Sequence, residues 1–425
     1  MKHKTSLIGW IVWILGSCFF LTEYFVRVST GVLSSHLFNE FHANATAIGL
    51  LSAYFYYAYI SMQIPVGILV DRFGVRILLS LATILFGTSC ITFSHMQSLP
   101  IGYISRFVMG LVGAFAFVGT LKLITVYFPP TKFALLSGIT QSGGMLGAII
   151  GAAPMAYLFQ LIGWRLSYMC FGSLFVALGI LMFILIRDAP QKTTNSNHIN
   201  SSIYNDLRIV LSSPQTWLNC IFIGLMYAPT EVFGEQWGTL FSATSNNLNI
   251  EQAALQVSFI FIGMAIGCPL VGYISDKIKS RIKVMRISSI ICLILITLII
   301  YKSALGLNFN YTITCCILFF YGIFNSAIIP SYAVATEIHT RKVSGVALGI
   351  TNMATVIGGA IFIPLIGHIL DLLTKDNIPA SGNELAHSHF STQNFETAFI
   401  ILPVCFILCF ILTFLIKDTR CIAKD

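Results

Sequence analysis

The stretch SLIGWIVWILGSCFFLTEYFVRVSTGVLSSHL, residues 6–37, decides how the whole chain is read. It is apolar almost throughout, yet it holds Glu23 and Arg27 one helical turn apart. About 20 apolar residues suffice for a helix to cross a bilayer, so the run predicts a first membrane helix. Charges at that depth are costly and usually face a cavity where they serve a function. Some 208 residues later the frame returns: Thr22-Glu23-Tyr24-Phe25-Val26-Arg27 becomes Thr230-Glu231-Val232-Phe233-Gly234-Glu235. Thr-Glu and Phe repeat, and an acid replaces the arginine. A duplicated chain with opposite charges at matching depths predicts a polar central site.

Working outward, the pattern of residues 6–37 recurs. The 425-residue chain is 56% hydrophobic and 9% charged, against about 25% charged in soluble domains. Twelve apolar runs are long enough to span: roughly 6–34, 46–70, 77–96, 100–128, 134–160, 165–186, 215–241, 252–274, 284–304, 311–337, 344–371 and 395–416. They are continuous rather than alternating, which excludes a membrane barrel. The fold class expected is therefore an all-α integral membrane protein of twelve transmembrane helices. The amino-terminal run imitates a signal peptide but is too long and too charged for one, so it reads as an uncleaved first helix.

Basic residues set the orientation. With the amino terminus inside, 18 of the 24 Lys and Arg residues fall on inside segments. Only Arg165, Lys302 and Lys375 fall outside, and Arg27, Arg106 and Lys122 lie within helices. Both termini are thus expected in the cytoplasm. The net charge of +8 reflects this asymmetry and calls for no nucleic-acid partner. Ten of the eleven cysteines lie in predicted helices, and none has metal-ligand spacing with histidine. His387-Ser388-His389 reads as a solvated loop. No metal and no cofactor is expected.

The repeat extends beyond the first and seventh helices. Gly67-x3-Asp71-Arg72-x-Gly74-x-Arg76 follows the second, and Gly272-x3-Asp276-Lys277-x3-Arg281 follows the eighth. Gly138-Ile-Thr-Gln141 matches Gly349-Ile-Thr-Asn352, and Gly147 matches Gly358. Parallel halves of six helices each follow from these offsets. The expected division is an amino-terminal bundle over 1–187, a polar cytoplasmic linker over 188–214 and a carboxy-terminal bundle over 215–425.

The segment Gly67–Arg76 resembles the signature between helices two and three of the major facilitator superfamily. Its echo, Arg106-Phe-Val-Met-Gly110 and Gly163-Trp164-Arg165 add to the resemblance, which covers essentially the whole chain. The resemblance implies two pseudo-symmetric six-helix bundles working by alternating access. It also implies that the loop signature latches the halves: Gly67, Asp71, Arg72, Gly74 and Arg76 in one, Asp276, Lys277 and Arg281 with Glu337 in the other. Asp71 can cap a helix of the other half, where free amides favour an anion. The matching stretch for Arg76, Thr125-Val-Tyr-Phe128, holds no acid, so a lopsided latch is expected.

The candidate substrate site is dipolar: Arg27 and Arg106 from the first half, Glu23 beside Arg27, Glu235 from the second. Tyr56, Tyr59 and Gln63 share a face of helix two, and Tyr24 and Trp237 are candidates from helices one and seven. Packing is the competing reading of these aromatics, and the Glu23–Arg27 pair can also be a purely internal neutralisation. Glu231 and Glu235 have no basic residue in their own helix and are the candidate proton carriers, since burial raises a carboxyl's pKa. Lys122 reads as a partner for an acid, as a site residue or as a side chain snorkelling inward.

These residues predict a proton-coupled carrier importing an amino acid, small peptide or similar zwitterion, in a bacterial inner membrane. Bidentate arginine would take the carboxylate and glutamate the ammonium. The alternatives are an organic-anion or phosphate-ester carrier, proton-coupled efflux of drugs or siderophores, and a solute receptor that transports nothing. An enzyme is not expected: no nucleophile elbow or Walker loop is present.

Overall fold

The computed structural model describes residues 7–129, 132–187, 205–340, 343–374 and 390–421, and every element among them is helical. Helix α1 spans Leu7–Phe41, α2 Ala45–Phe73, α3 Val75–Ser94, α4 Leu99–Gly113 and α5 Phe115–Tyr127. Then come α6 Phe133–Gly151, α7 Ala153–Ile162, α8 Trp164–Leu185 and a short α9 over Asn205–Leu211. Helix α10 (Pro214–Pro229) runs into a π-helical segment, Thr230–Trp237, and on into α11 (Gly238–Asn246). Helices α12 (Ile250–Ile278), α13 (Arg281–Ile300), α14 (Tyr311–Asn325), α15 (Ile328–Glu337), α16 (Ser344–Thr374), α17 (Thr392–Ala398) and α18 (Ile401–Leu412) complete the chain.

Nine helical stretches among the described residues are long and apolar enough to cross a membrane, and eleven when each of two bent pairs counts as one. The twelfth expected span is α2. Its 29 residues are ample for a crossing. The span of α6 and α7 bends by 40°. Pro154 lacks the amide that would continue the ladder across Ala152, which sits at φ −92°, ψ −102°. Gly74 (φ +84°) closes α2 with its amide on the Val70 carbonyl and opens α3. That backbone conformation suits glycine and explains why the loop signature carries one.

The described residues cluster into two compact units. One gathers the described residues within 7–187, 233–258, 360–374 and 390–394; the other gathers those within 205–232, 259–359 and 395–421. The first unit packs through phenylalanines: Phe86 meets Phe19 and Phe175 at 5.7 and 5.8 Å between ring centres. Its helices also approach through small residues, as membrane helices do. Gly147 and Gly151 of α6 lie directly on the Leu21 and Phe25 backbones of α1. In the second unit Thr230 Oγ1 donates to Asn325 Oδ1 (2.9 Å), and Asn325 Nδ2 to the Met226 carbonyl (2.7 Å). Large apolar side chains such as Leu174, Ile184 and Phe414 are exposed, as lipid-facing residues are. Of the expected linker, residues 188–204 lie outside the described set, as do Lys375 and His387–His389.

Candidate functional site

Within the first unit, Phe233–Ser258 carries Glu235 to α1. Arg27 Nε donates to Glu235 Oε2 at 2.7 Å and Arg27 Nη2 to Oε1 at 2.9 Å, a bidentate pair with both side chains buried. The Tyr56 hydroxyl also donates to Glu235 Oε2. The Arg27 guanidinium lies 4.7 Å from the Tyr24 ring centre and 5.2 Å from that of Tyr56, within cation–π range. Close approach here depends on Gly31, where a Cβ would sit 2.5 Å from the Glu235 carbonyl oxygen.

Glu23 stands beside this pair. Its Oε1 is 3.9 Å from Arg27 Nη1, and neither of its oxygens has a hydrogen-bond partner among the described residues. Arg106, on α4, is just as buried. Its Nη1 donates to the Val26 carbonyl (3.2 Å) and its guanidinium stacks 4.8 Å over Phe55, while its Nε and Nη2 lack hydrogen-bond partners. Buried polar atoms are rarely left so. Glu23 is 0% and Arg106 1% exposed, so one buried acid and one buried base retain hydrogen-bonding capacity next to a saturated ion pair.

The other candidates divide. Tyr59 is buried and stacks on Phe55 (6.0 Å, 17° between planes), and Gln63 is buried one turn further. The Trp237 indole donates to the Ile363 carbonyl at 3.1 Å, a packing role. Glu231 belongs to the second unit, where its Oε2 accepts from the Gly359 amide at 2.5 Å. Among the loop residues, Arg281 Nη2 donates to Glu337 Oε1 at 2.7 Å and its Nη1 to Asp276 Oδ1 at 2.5 Å. Lys277 is exposed. Arg76 Nε donates to the Phe183 carbonyl (2.9 Å), Arg72 lies 5.4 Å over the Phe73 ring, and Gly67 has open space. The Asp71 side chain lies outside those described.

Sequence reasoning overlooked Gln236. It accepts from Ser52 Oγ at 2.5 Å and donates to Ser34 Oγ at 2.9 Å, joining three helical segments. Its signal was an amide beside Glu235 in an apolar run. The π-helical turn supplies the geometry, since it lets consecutive residues 235 and 236 both face α1 and α2. Such segments are frequent at functional sites.

The sequence profile of the Major Facilitator Superfamily matches residues 12–363. Over 174 residues the chain is 30% identical to an uncharacterized transporter, YybO, of Bacillus subtilis, an alignment spanning 41% of this chain and 40% of that protein. It is 22% identical over 299 residues to a probable sulfoacetate transporter, SauU, of Cupriavidus necator, covering 68% and 69%. The fold is similar to the crystal structure of a bacterial homolog of the human lysosomal transporter Spinster, with TM-score 0.76 and 14% identity over 96% of this chain and 97% of that one. The chain belongs to the Major Facilitator Superfamily, as a multi-pass membrane transporter of the secondary, non-enzymatic kind.

Proposed function

We propose that the chain carries a small zwitterion, an amino acid or small peptide, by alternating access of bundles 1–187 and 215–425 joined by the linker 188–214. The observation that carries this reading is the pairing of unsatisfied charges. Arg106 offers two buried donors to a carboxylate, and Glu23 offers two buried acceptors to an ammonium. Arg27 and Glu235 cancel each other, so Glu23, Arg27, Arg106 and Glu235 together are neutral. A zwitterion enters such a cluster without adding charge.

Proton coupling fits the same cluster. A proton on Glu235 removes the charge that holds Arg27, and the freed guanidinium becomes a second carboxylate ligand. Glu231 is the other candidate carrier. The proposed setting is uptake across a bacterial inner membrane, with both termini cytoplasmic and the loop signatures at 67–76 and 272–281 acting as the inner latch.

A second reading, an organic-anion carrier, draws on the similarity to the probable sulfoacetate transporter. The two readings separate on paired ligands. L-alanine and lactate differ in the ammonium group, so calorimetry with both, and with alanyl-alanine and glycerol phosphate, decides between them. The zwitterions are expected to bind the parent protein, with Glu23→Gln weakening L-alanine at least tenfold and Arg106→Ala weakening it as strongly. Lactate or glycerol phosphate binding equally to parent and Glu23→Gln, with no response to L-alanine or dipeptide, overturns the zwitterion reading in favour of the anion one.

A further inference from the structure

We propose that Asp371, near the end of α16, is a latch that holds shut the face of the protein where α1 ends and α2 begins. This goes beyond the substrate reading and does not depend on it. Asp371 Oδ1 accepts from the Ala45 amide at 2.7 Å; Oδ2 accepts from the Thr46 amide at 2.8 Å and from Thr46 Oγ1 at 2.5 Å. These amides open α2, where the ladder has no acceptors for them and an anion is favoured. The third amide, of Ala47, donates to Asn44 Oδ1. The acid from α16 thus completes the cap of a helix more than 300 residues away in sequence.

The surrounding backbone is built for contact. A Cβ on Gly49 would lie 2.8 Å from Pro364 Cα, and one on Gly367 would run into the Ala45 backbone. Both glycines let α2 and residues 360–374 of α16 touch main chain to main chain. All these groups lie in the first unit.

The internal repeat shows that the fold itself does not demand this tie. Asn44 and Asn249 occupy equivalent places, 205 residues apart, and each caps the third amide of its helix. The offset of 211 that relates Gly138 to Gly349 places Gln160 where Asp371 stands. Gln160 is neutral and exposed. The carboxylate is an addition on one side only. It joins two segments that a secondary transporter must part when that face opens, so its free energy weights the population of the closed state.

The test reads accessibility and needs no substrate. Ser35 is buried within the last two turns of α1, the helix that leads into the start of α2, and Ser35→Cys is a conservative reporter. Its labelling by a membrane-impermeant maleimide, above the signal of the native cysteines, is followed in proteoliposomes. Asp371→Asn is expected to speed labelling at least fivefold, Thr46→Val to speed it less, and Asp371→Glu to return it toward the parent rate. If Asp371→Asn does not yield a monodisperse protein, Thr46→Val alone decides. Parent-like labelling in both variants overturns the latch. So does faster labelling that Asp371→Glu fails to reverse, because that marks a packing defect rather than a charge-dependent tie.

Discussion

Arg76 and Arg281 occupy the same place in the duplicated loop signature, yet the structure gives them different partners. Arg281 is held by two acids. Glu337 faces it from α15 with both side chains about 10% exposed, and Asp276, 65% exposed, adds a surface contact. The Thr419 hydroxyl donates to Glu337 in turn, and the Ser280 hydroxyl donates to Asp418. Arg76 instead gives its Nε to a backbone carbonyl and lies 4.6 Å over the Phe183 ring. Repetition of a motif therefore does not repeat its contacts. The difference comes from what the neighbouring helices supply, Glu337 in one half and the acid-free stretch Thr125–Phe128 in the other.

The largest expected effect tests this asymmetry directly. Arg281→Ala leaves Glu337 buried without its guanidinium, and breaking a buried pair costs about 3–5 kcal/mol. Arg76→Ala removes among its contacts a hydrogen bond to the neutral Phe183 carbonyl, worth about 0.5–1.5 kcal/mol. Thermal unfolding of both variants in detergent should show a loss at least twice as large for Arg281→Ala. Equal losses would mean that the two loops are energetically alike and the acid at 337 is incidental.

What could be read from the sequence follows the same division between pattern and partner. Apolar run length announced the spans, because a bilayer imposes about 20 residues on every helix whatever its neighbours. The charged cluster was legible too, because Glu23, Arg27, Arg106 and Glu235 are conspicuous at membrane depth. Who pairs with whom was not. Glu23 and Arg27 share a helix face, which suggested mutual neutralisation, yet Arg27 gives its bidentate contact to Glu235, 208 residues away. The π-helical turn that presents Glu235 and Gln236 together has no spacing signature. Asp371 closed an apolar run at 344–371, where an acid at a span end is unremarkable. Its role emerges only when the amides of α2 are found beside it.

A smaller effect sharpens the comparison by keeping charge and changing shape. Arg281→Lys retains a cation but cannot reach Glu337 and Asp276 with one planar fork. A loss of about 1–2 kcal/mol is expected, near the lower end for a hydrogen bond to a charged group. Arg76→Lys gives up the Nε bond to the Phe183 carbonyl and should cost less than Arg281→Lys, because no buried Glu337 fork is lost with it. Denaturation midpoints measured side by side check both expectations. If Arg281→Lys is as stable as the parent, the network works as a point charge and its forked geometry is irrelevant.

The smallest effect concerns how the two loops start their following helices. Helix α3 opens at Gly74 with no side-chain cap, whereas Ser280 opens α13 and accepts from the Lys283 amide at 3.2 Å. Asp418 supports that cap from the carboxy-terminal segment, accepting from the Arg281 amide as well as from the Ser280 hydroxyl. A lost serine cap typically costs about 1 kcal/mol, so Ser280→Ala should lower stability by roughly that amount. Asp418→Ala removes an anion from the same helix end and should cost about 0.3–1 kcal/mol. The two act through one hydroxyl, so the double variant should lose less than the sum of the single losses. Full additivity in unfolding midpoints would show that Asp418 acts on the Arg281 amide alone. The cap at α13 would then depend on the serine without help from the carboxy-terminal segment.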